Sequence, residues 1–118
     1  MIKIYNTNIE TDKLEETNEI KKGVWINLLN PSDSEIKRVC SEINIEEDFI
    51  RYPLDYDEQA RIDVEDDAIL FVIDVPIIED IKDDTTCTTM PLGVIIIRDD
   101  YFITVSLKRN KVIDAFEK

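Results

Sequence analysis

Carboxylates are the reactive side chains that this 118-residue sequence supplies in quantity. It has 27 Asp and Glu residues against 14 Lys and Arg residues, a formal net charge of −13, and no His. Carboxylate oxygens can hold Mg²⁺ or Ca²⁺, and paired carboxylates can act as general acid and base. The densest acidic run lies in residues 55–67 and consists of Asp55, Asp57, Glu58, Asp63, Glu65, Asp66 and Asp67.

Part of this run matches the ligand spacing of an EF-hand calcium loop. Asp55, Asp57, Gln59 and Asp66 fall at ligand positions. The sixth position, however, is Ala60 where the loop needs Gly, and the last ligand is Asp, which reaches less far than Glu. The run therefore predicts either a solvated acidic linker or a weak site in which one or two carboxylates hold a hydrated Mg²⁺ or Ca²⁺ ion.

The sequence offers little for catalysis. Without His it lacks the commonest general base, and it contains no phosphate-binding loop, dinucleotide fingerprint or Ser-His-Asp set. A glycosidase-like carboxylate pair is conceivable in any acidic protein, but it needs a cleft that the sequence does not specify. We therefore expect a protein that is not an enzyme, with a small hydrolase as a remote alternative.

The net charge limits the partners. Phosphate binding depends on Lys and Arg, so nucleic acid is a disfavoured partner, and an anionic membrane surface would repel the chain. Divalent cations would be attracted, although the same charge also serves solubility. No stretch of the sequence approaches the roughly 18 apolar residues of a membrane-spanning helix.

The two cysteines, Cys40 and Cys87, form no CxxC pattern and indicate a reducing compartment with free thiols. Cys40 lies with Ile36, Val39 and Ile43 on one apolar stripe of a predicted helix. We therefore expect Cys40 to be a core residue and not a nucleophile.

Residues 91–107 organise the rest of the chain. They form two apolar runs separated by Arg98, Asp99 and Asp100, a pattern that predicts a tight β-hairpin. Because residues 94–97 are consecutively apolar, both faces of that strand should be covered, as in the middle of a sheet.

Local patterns predict the other elements. The first helix can start with Asn30 before Pro31, or with Ser32 and Glu35 as a capping box. The predicted strands cover residues 1–5, 24–29, 68–78 and, as an edge strand, 61–65; the helices cover residues 31–43, 46–52 and 108–118; and residues 9–22 and 79–84 are predicted loops.

Three segments, read in order, resemble one known family. Residues 25–36 (WINLLNPSDSEI) are a strand and an Asn-Pro-Ser helix start, residues 55–76 (DYDEQARIDVEDDAILFVIDVP) are an acidic linker and two strands, and residues 88–106 (TTMPLGVIIIRDDYFITVS) are the closing hairpin. In this order and spacing they look like the N-terminal cytoplasmic domain of CorA-type magnesium transporters. The resemblance extends over residues 1–118, whereas the family's Gly-Met-Asn signature, stalk helix and two membrane helices are absent from the chain.

The resemblance implies a single α/β domain over residues 1–118, with a mixed parallel and antiparallel sheet and helices on both faces. It implies a place on the cytoplasmic side of the cell membrane in a homopentamer, with membrane contact only through a C-terminal region outside this chain. It also implies that Mg²⁺ bound between neighbouring domains stabilises the closed state, so that loss of Mg²⁺ favours opening.

The resemblance also indicates where a regulatory site would lie. Family members with such a site have an acidic pair at the end of the short helix after the Asn-Pro helix, and the matching positions here are near Arg51 and Tyr52, which are not acidic. The nearest carboxylates, Asp55, Asp57 and Glu58, are therefore the expected ligands of a weak regulatory Mg²⁺ site.

These observations together predict the cytoplasmic sensor and assembly domain of a divalent-cation transporter. We expect a piece of a longer protein, because the sequence stops within a predicted helix that has no stop signal. A stand-alone acidic protein-interaction module is the alternative. The transported ion and the oligomeric state of this chain stay open at this stage.

Overall fold

The computed structural model describes residues 1–8, 10–55, 57–65, 67–81, 84–98 and 100–116. The strands are β1 (Ile2–Asn8), β2 (Lys13–Thr17), β3 (Trp25–Leu29), β4 (Arg61–Glu65), β5 (Ala68–Ile81), β6 (Asp84–Ile97) and β7 (Tyr101–Ser106). The helices are α1 (Asp33–Ile43), α2 (Glu47–Arg51) and α3 (Lys111–Phe116), and a 3₁₀ turn at Tyr52–Leu54 follows α2. None of the described helices is long and apolar enough to cross a membrane.

The strands form one mixed sheet with the order β2-β1-β3-β7-β6-β5-β4. β3 and β7 run parallel, and the other neighbouring strands run antiparallel. The predicted hairpin is present as β6 and β7, and β4 lies at the predicted edge. Arg98 in the hairpin turn has a φ of 50°, and Asp99 lies outside the described residues. The predicted fold class is confirmed.

The first face of the sheet is covered by α1 and α2. The apolar stripe of α1 is buried, as is Cys40 within it, and α2 adds Phe49 and Ile50. Burying a large aliphatic side chain contributes about 1.5–3 kcal/mol, so this cluster is a main source of stability. Its other buried members are Ile4, Val24, Ile26, Leu28, Ala68, Leu70, Val72, Ile95, Ile97, Ile103 and Val105.

Helix α1 is started by Ser32 and not by Asn30. Ser32 Oγ accepts the Glu35 N–H at 3.2 Å, and the Glu35 carboxylate accepts the Ser32 N–H at 2.9 Å, which completes a capping box. The hydrogen bond from the Ser32 backbone, together with the amino group of Met1 at 3.0 Å, holds the pKa of Glu35 below its ordinary value. Asn44 ends the helix in the left-handed conformation, with φ of 64°.

The second face carries its own buried cluster, beneath α3. Trp25 Nε1–H donates to Thr104 Oγ1 at 2.9 Å, and the Thr104 hydroxyl donates to Asn27 Oδ1 at 2.9 Å, so these buried polar groups are paired. The ring of Tyr5 stacks on Trp25 with 4.8 Å between centroids. The buried apolar members are Tyr5, Trp25, Val75, Ile77, Met90, Leu92 and Ile113, the last of which belongs to α3.

Helix α3 covers only one end of this second face. The register places Ile62 opposite Phe71 and Val64 opposite Ile69, with Ile73 two residues further along the same side of β5. Ile62 is 64% exposed, Val64 is 71% exposed and Ile73 is 42% exposed. We call these five residues the open face, because the described helices leave them uncovered.

The prediction of a loop over residues 9–22 is wrong for residues 13–17, which form a strand. Residues Lys13–Thr17 form β2, which pairs antiparallel with β1. The side chains of β2 are almost all exposed, because it is an edge strand with no layer packed on it. Without a buried side there is no apolar alternation in the sequence to indicate a strand. Residue 9 lies outside the described residues.

The prediction of an acidic loop over residues 79–84 is also wrong for residues 79–81 and 84, which lie in strands. β5 continues through Pro76 to Ile81, and β6 begins at Asp84, with residues 82 and 83 outside the described residues. Pro76 cannot donate a hydrogen bond to a neighbouring strand. It is tolerated because β4 pairs only with the first part of β5, up to Val72, so that β5 is an edge strand at Pro76.

Gly93 in β6 is a point of close approach between the sheet and the 3₁₀ turn. A Cβ at this position would lie 2.8 Å from Cβ of Pro53 and still closer to its Cγ. Pro53 is buried. The absence of a side chain at Gly93 therefore lets the turn that leads into the acidic linker pack directly on the first face.

The substitution Gly93→Ala should destabilise the fold by about 1–3 kcal/mol, because the added methyl group forces Pro53 or β6 to move. Urea unfolding measures this free energy. In a Pro53→Gly background the cost of Gly93→Ala should be much smaller. An equal cost in both backgrounds would show that the contact with Pro53 is not the cause.

Candidate functional site

The acidic linker between the 3₁₀ turn and β4 begins at a fixed point. Asp55 follows Leu54 and its N–H donates to Tyr52 O at 3.2 Å. Because Pro53 packs against Gly93, the start of the linker is anchored to the first face of the sheet. The linker ends at Arg61, where β4 pairs with β5 at the edge.

The three predicted site residues are close together at this start. Asp55 accepts two hydrogen bonds within the segment: Asp57 N–H donates to its Oδ1 at 2.9 Å, and Glu58 N–H donates to its backbone oxygen at 3.0 Å. These bonds hold the backbone at Asp57 and Glu58 close to Asp55. Asp55 and Asp57 are exposed, whereas Glu58 is half-buried.

The charge of Glu58 is opposed by a basic residue on β4. Arg61 Nε lies 3.2 Å from Glu58 Oε1, and Arg61 Nη2 lies 3.4 Å from Asp63 Oδ2. The guanidinium carbon also lies 4.6 Å from the ring centroid of Tyr52, a cation–π distance. Nε is buried and no described acceptor is aligned to take its hydrogen. The contact between Arg61 Nε and Glu58 Oε1 is therefore an ion pair without a well-aligned hydrogen bond.

The fit of these residues to Mg²⁺ is limited. Among the described residues, no group of three or more Cys, Asp or Glu side chains is arranged to hold a metal ion. Mg²⁺ keeps several of its waters and can be bound through one or two carboxylates. Asp55 and Asp57 are exposed enough to take a hydrated ion in this way, whereas Glu58 is already paired with Arg61.

The end of the acidic run lies apart from this turn. Glu65 and Asp67 line a cavity of about 150 Å³ with Glu46 and Arg98. The Nε of Arg98 is 3.6 Å from Asp67 Oδ2. As at Glu58, an arginine of the same chain therefore partly neutralises these acids. Asp66 lies outside the described residues.

The two positions at which the resemblance implied an acidic pair make structural contacts here. Arg51 Nη2 lies 3.1 Å from Asp33 Oδ1 and 3.3 Å from Glu47 Oε2, which connects α2 to the start of α1. The hydrogen bond to Asp33, followed by that to Glu47, raises the pKa of Arg51 above its ordinary value. Tyr52 contributes its ring to the contact with Arg61.

Arg61 is the residue that sequence reasoning missed. The sequence places Arg61 at the start of the predicted edge strand over residues 61–65 but does not indicate its partners. The available signal was its position as the one basic residue within residues 55–67. The distances show that it lies between Glu58 and Asp63, so it belongs to the candidate site.

Cys40 is excluded as a nucleophile by its surroundings. It is buried on α1 among apolar residues, as predicted. Burial, with a smaller effect of the Glu47 charge, raises the pKa of the Cys40 thiol to about 11. The thiolate, which is the reactive form, is therefore scarce at neutral pH. The side chain of Cys87 lies outside the described residues.

Cys40 should therefore resist alkylation by iodoacetamide at pH 8 in the folded chain. We expect its rate to be at least about tenfold lower than in the urea-unfolded chain, because the native thiol is buried and protonated. Peptide mapping by mass spectrometry reports Cys40 separately from Cys87. Equal rates in the folded and unfolded chains would contradict the buried position of Cys40.

Comparison with known proteins gives one consistent family. The family described as "CorA-like Mg2+ transporter protein" has a sequence model that matches residues 21–118. The cobalt/magnesium transport protein CorA of Methanocaldococcus jannaschii is 27% identical over 112 residues, which make up 94% of this chain and 33% of that protein. This chain therefore spans about a third of the length of that curated relative.

Solved structures show the shared fold. The complete structure of the CorA magnesium transporter from M. jannaschii matches with a TM-score of 0.73 and 21% identity, over 98% of this chain and 35% of that one. The structure of the soluble domain of CorA from the same organism matches with a TM-score of 0.79 and 22% identity, over 98% of this chain and 44% of that one.

Proposed function

This chain belongs to the CorA-like Mg²⁺ transporter family, and from that membership we propose that it is a regulatory and assembly domain of a divalent-cation transporter. In this proposal residues 1–118 form a single domain on the cytoplasmic side of the cell membrane, and other segments supply the pore. The family match over most of the chain carries the proposal. The role is not catalytic, in keeping with a family of transporters.

Cation sensing is the finer part of the proposal. Asp55 and Asp57 hold a hydrated Mg²⁺ ion weakly, because both residues are exposed and a hydrogen bond from Asp57 N–H to Asp55 Oδ1 keeps them close together. Glu58 contributes less, since Arg61 lies beside it. The net charge of −13 raises the local concentration of divalent cations around the whole chain.

The same charge suggests how sensing is coupled to a pore. Acidic domains arranged around the axis of a homopentamer repel one another, and Mg²⁺ ions screen or bridge that repulsion. When Mg²⁺ concentration falls, the domains separate, and a helix that leads to the membrane transmits the movement. Membrane contact is made by segments of the transporter outside this chain.

The assembly part of the proposal is supported by the open face. Monomeric proteins rarely leave a large contiguous apolar surface uncovered. Ile62, at 64% exposed, and Val64, at 71% exposed, are the two most exposed large apolar residues in the described part of the chain. In the proposed transporter this face packs against another segment of the longer protein. The matched CorA soluble domain is more than twice the length of this chain. That relative therefore contains segments, outside the matched part, of the kind that could cover this face.

A stand-alone acidic interaction module is the second candidate. The observation that favours it is the same open face, which would then dock a separate protein. Reading the gene beyond the codon for Lys118 separates the two candidates. A long helix, two apolar segments and a Gly-Met-Asn signature favour the transporter, whereas an early stop codon favours the module.

Addition of Mg²⁺ should shift the backbone amide NMR signals of residues 55–58 in a saturable way. The double variant Asp55→Asn/Asp57→Asn should lose these shifts, because it removes both exposed carboxylates without changing side-chain size. The proposal does not survive if the saturable shifts occur only elsewhere in the chain, or if the double variant keeps them.

The control is Glu10→Gln/Asp12→Asn. These two acids have the same i, i+2 spacing and are also exposed, so the control removes the same charge from a different part of the surface. Its Mg²⁺ response at residues 55–58 should remain close to that of the unaltered chain. A matching loss in the control would assign the response to overall charge and not to the linker.

The open face yields a prediction about stability. Ile62→Ser/Val64→Ser should change the free energy of unfolding by less than about 1 kcal/mol, since exposed substitutions remove little packing. The same variant should bind less of the hydrophobic dye ANS. Leu70→Ala, at a fully buried neighbouring position, should cost about 2–5 kcal/mol. A large loss of stability on changing Ile62 and Val64 would mean that these side chains are covered in solution.

A further inference from the structure

The carboxyl ends of β3 and β7 lie side by side, because these two neighbouring strands run parallel and the register places Leu29 opposite Ser106. From this point β3 leads into α1, which packs on the first face of the sheet. β7 leads into α3, whose Ile113 packs on the second face. Adjacent parallel strands whose connections leave on opposite faces form a topological switch point, where open α/β sheets leave a crevice that binds ligands.

A cavity of about 30 Å³ lies in this crevice, between the strand ends and α3. Lys3 of β1, Ser106 of β7 and Arg109 of the connection to α3 line it. This volume holds one or two oxygen-sized atoms. A second cavity, of about 150 Å³, adjoins the first, because it shares Arg109 and Asn110 with it and adds Lys111. The crevice therefore has a narrow inner part and a wider outer part.

The hydroxyl of Ser106 is a buried polar group that the fold leaves without a partner. Ser106 is 2% exposed and lines the inner cavity. Its backbone oxygen accepts Asn30 N–H at 2.8 Å, but its hydroxyl makes no hydrogen bond with any described residue. The neighbouring buried groups of Thr104 and Asn27, in contrast, bond to each other. Because buried polar groups are normally paired, the Ser106 hydroxyl indicates a polar group that enters from outside.

The charges around the inner cavity favour an anion, although the chain as a whole carries −13. Lys3, Arg109 and the amino terminus line it, with Asp114 as the one carboxylate. The amino group of Met1 is paired with Glu35. Lys3 is half-buried and has no ion-pair partner within the described part of the chain. Arg109 is 3.2 Å from Asp114 in an exposed pair, which contributes little free energy and leaves the guanidinium available.

We propose that this crevice binds the phosphate group of a small phosphorylated molecule. The Ser106 hydroxyl and the Lys3 ammonium donate to the phosphate oxygen that enters the inner cavity. Arg109, at the boundary of the two cavities, pairs with an oxygen that stays outside. The rest of the molecule lies in the outer cavity, beside Lys111.

Phosphate fits this arrangement better than a carboxylate does. The donors belong to three separate elements, β1, β7 and the connection to α3, and a tetrahedral group directs its oxygens apart. A phosphate ester also carries a charge of about −1.5 to −2 at pH 7, which suits two cationic partners. A polyanion remains disfavoured by the overall charge. The proposal does not involve the acidic linker or Mg²⁺, so it goes beyond the proposed function.

Titration of the unaltered chain with glycerol 3-phosphate, at constant ionic strength and without divalent cations, tests the proposal. The amide NMR signals of residues 28–30 and 106–110 should shift in a saturable way. A parallel titration with inorganic phosphate distinguishes a phosphate ester from free phosphate, and the tighter binder identifies the ligand. Succinate, a dicarboxylate, should bind more weakly than both. Succinate binding as tight as that of the phosphate compounds would overturn the choice of phosphate.

Two substitutions test the named donors. Ser106→Ala should weaken binding about two- to tenfold, the range of one neutral hydrogen bond. It should not lower the free energy of unfolding, since no described residue bonds to the hydroxyl. Lys3→Gln should weaken binding about tenfold, because a charge-assisted hydrogen bond is lost. Arg109→Gln, at an exposed position, replaces Lys3→Gln if that variant is poorly folded.

The matched control is Lys13→Gln, which removes the same charge from β2. Lys13 is exposed and pairs with Asn8, at the far end of β1 from Lys3. Its affinity for glycerol 3-phosphate should stay near that of the unaltered chain. A loss as large as that in Lys3→Gln would overturn the proposal, because overall charge would then explain the binding.

Two further results would also overturn the proposal. If neither phosphate compound gives saturable shifts at residues 28–30 and 106–110, the crevice binds only water. If binding is unchanged in both Ser106→Ala and Lys3→Gln, the phosphate binds elsewhere on the chain. Both results leave the proposed Mg²⁺ response of residues 55–58 unaffected, so the two proposals can fail separately.

Discussion

Burial of the central strands on both faces is the constraint from which the rest of the structure follows. Along β3, β7 and β6, successive side chains alternate between the cluster beneath α1 and α2 and the cluster beneath α3. Ile26 and Trp25, neighbours in sequence, thus belong to opposite faces. A change of register by one residue would move every apolar side chain to the wrong cluster, so the pairing is strongly specified.

This constraint determines where charge can lie. The centre of the sheet accepts few polar groups, and Thr104 and Asn27 are accommodated there because they hydrogen-bond to each other. The carboxylates lie instead on the linker, the turns, the edge strands and the outer sides of the helices. Arg61 is also at the edge of the sheet, as the first residue of β4, and its side chain contacts Glu58 on the linker and Asp63 on β4. The local balance of charge at the candidate site is therefore a consequence of the layout of the sheet.

The parts of the fold with buried apolar patterns could be predicted from the sequence. The hairpin of β6 and β7, the strand β3 and the capped helix α1 each carry a periodic signal, and each is present. β2 could not be predicted because an exposed edge strand of mixed charge has no buried side. The extension of β5 past Pro76 could not be predicted, because a proline is tolerated in a strand only where no neighbouring strand needs its N–H. Here β4 pairs with β5 only up to Val72, and the sequence of β5 alone does not reveal this.

The candidate site shows the same division. The proximity of Asp55, Asp57 and Glu58 follows from their spacing. The pairing of Glu58 with Arg61 could not be derived in the same way, because it depends on how the linker returns to the edge of the sheet. Likewise, the contact of Pro53 with Gly93, which anchors the linker, joins residues far apart in sequence. Such long-range contacts are determined by tertiary packing, on which local patterns carry no information.

Amide hydrogen exchange of the chain, resolved by residue and recorded with and without Mg²⁺, is the most direct test of the account. The account predicts that Mg²⁺ slows exchange of the Asp57 and Glu58 amides, which donate to Asp55, and leaves exchange in β3, β6 and β7 unchanged. Exchange of these two amides that is insensitive to Mg²⁺, or slowing spread evenly over the central strands, would contradict the account.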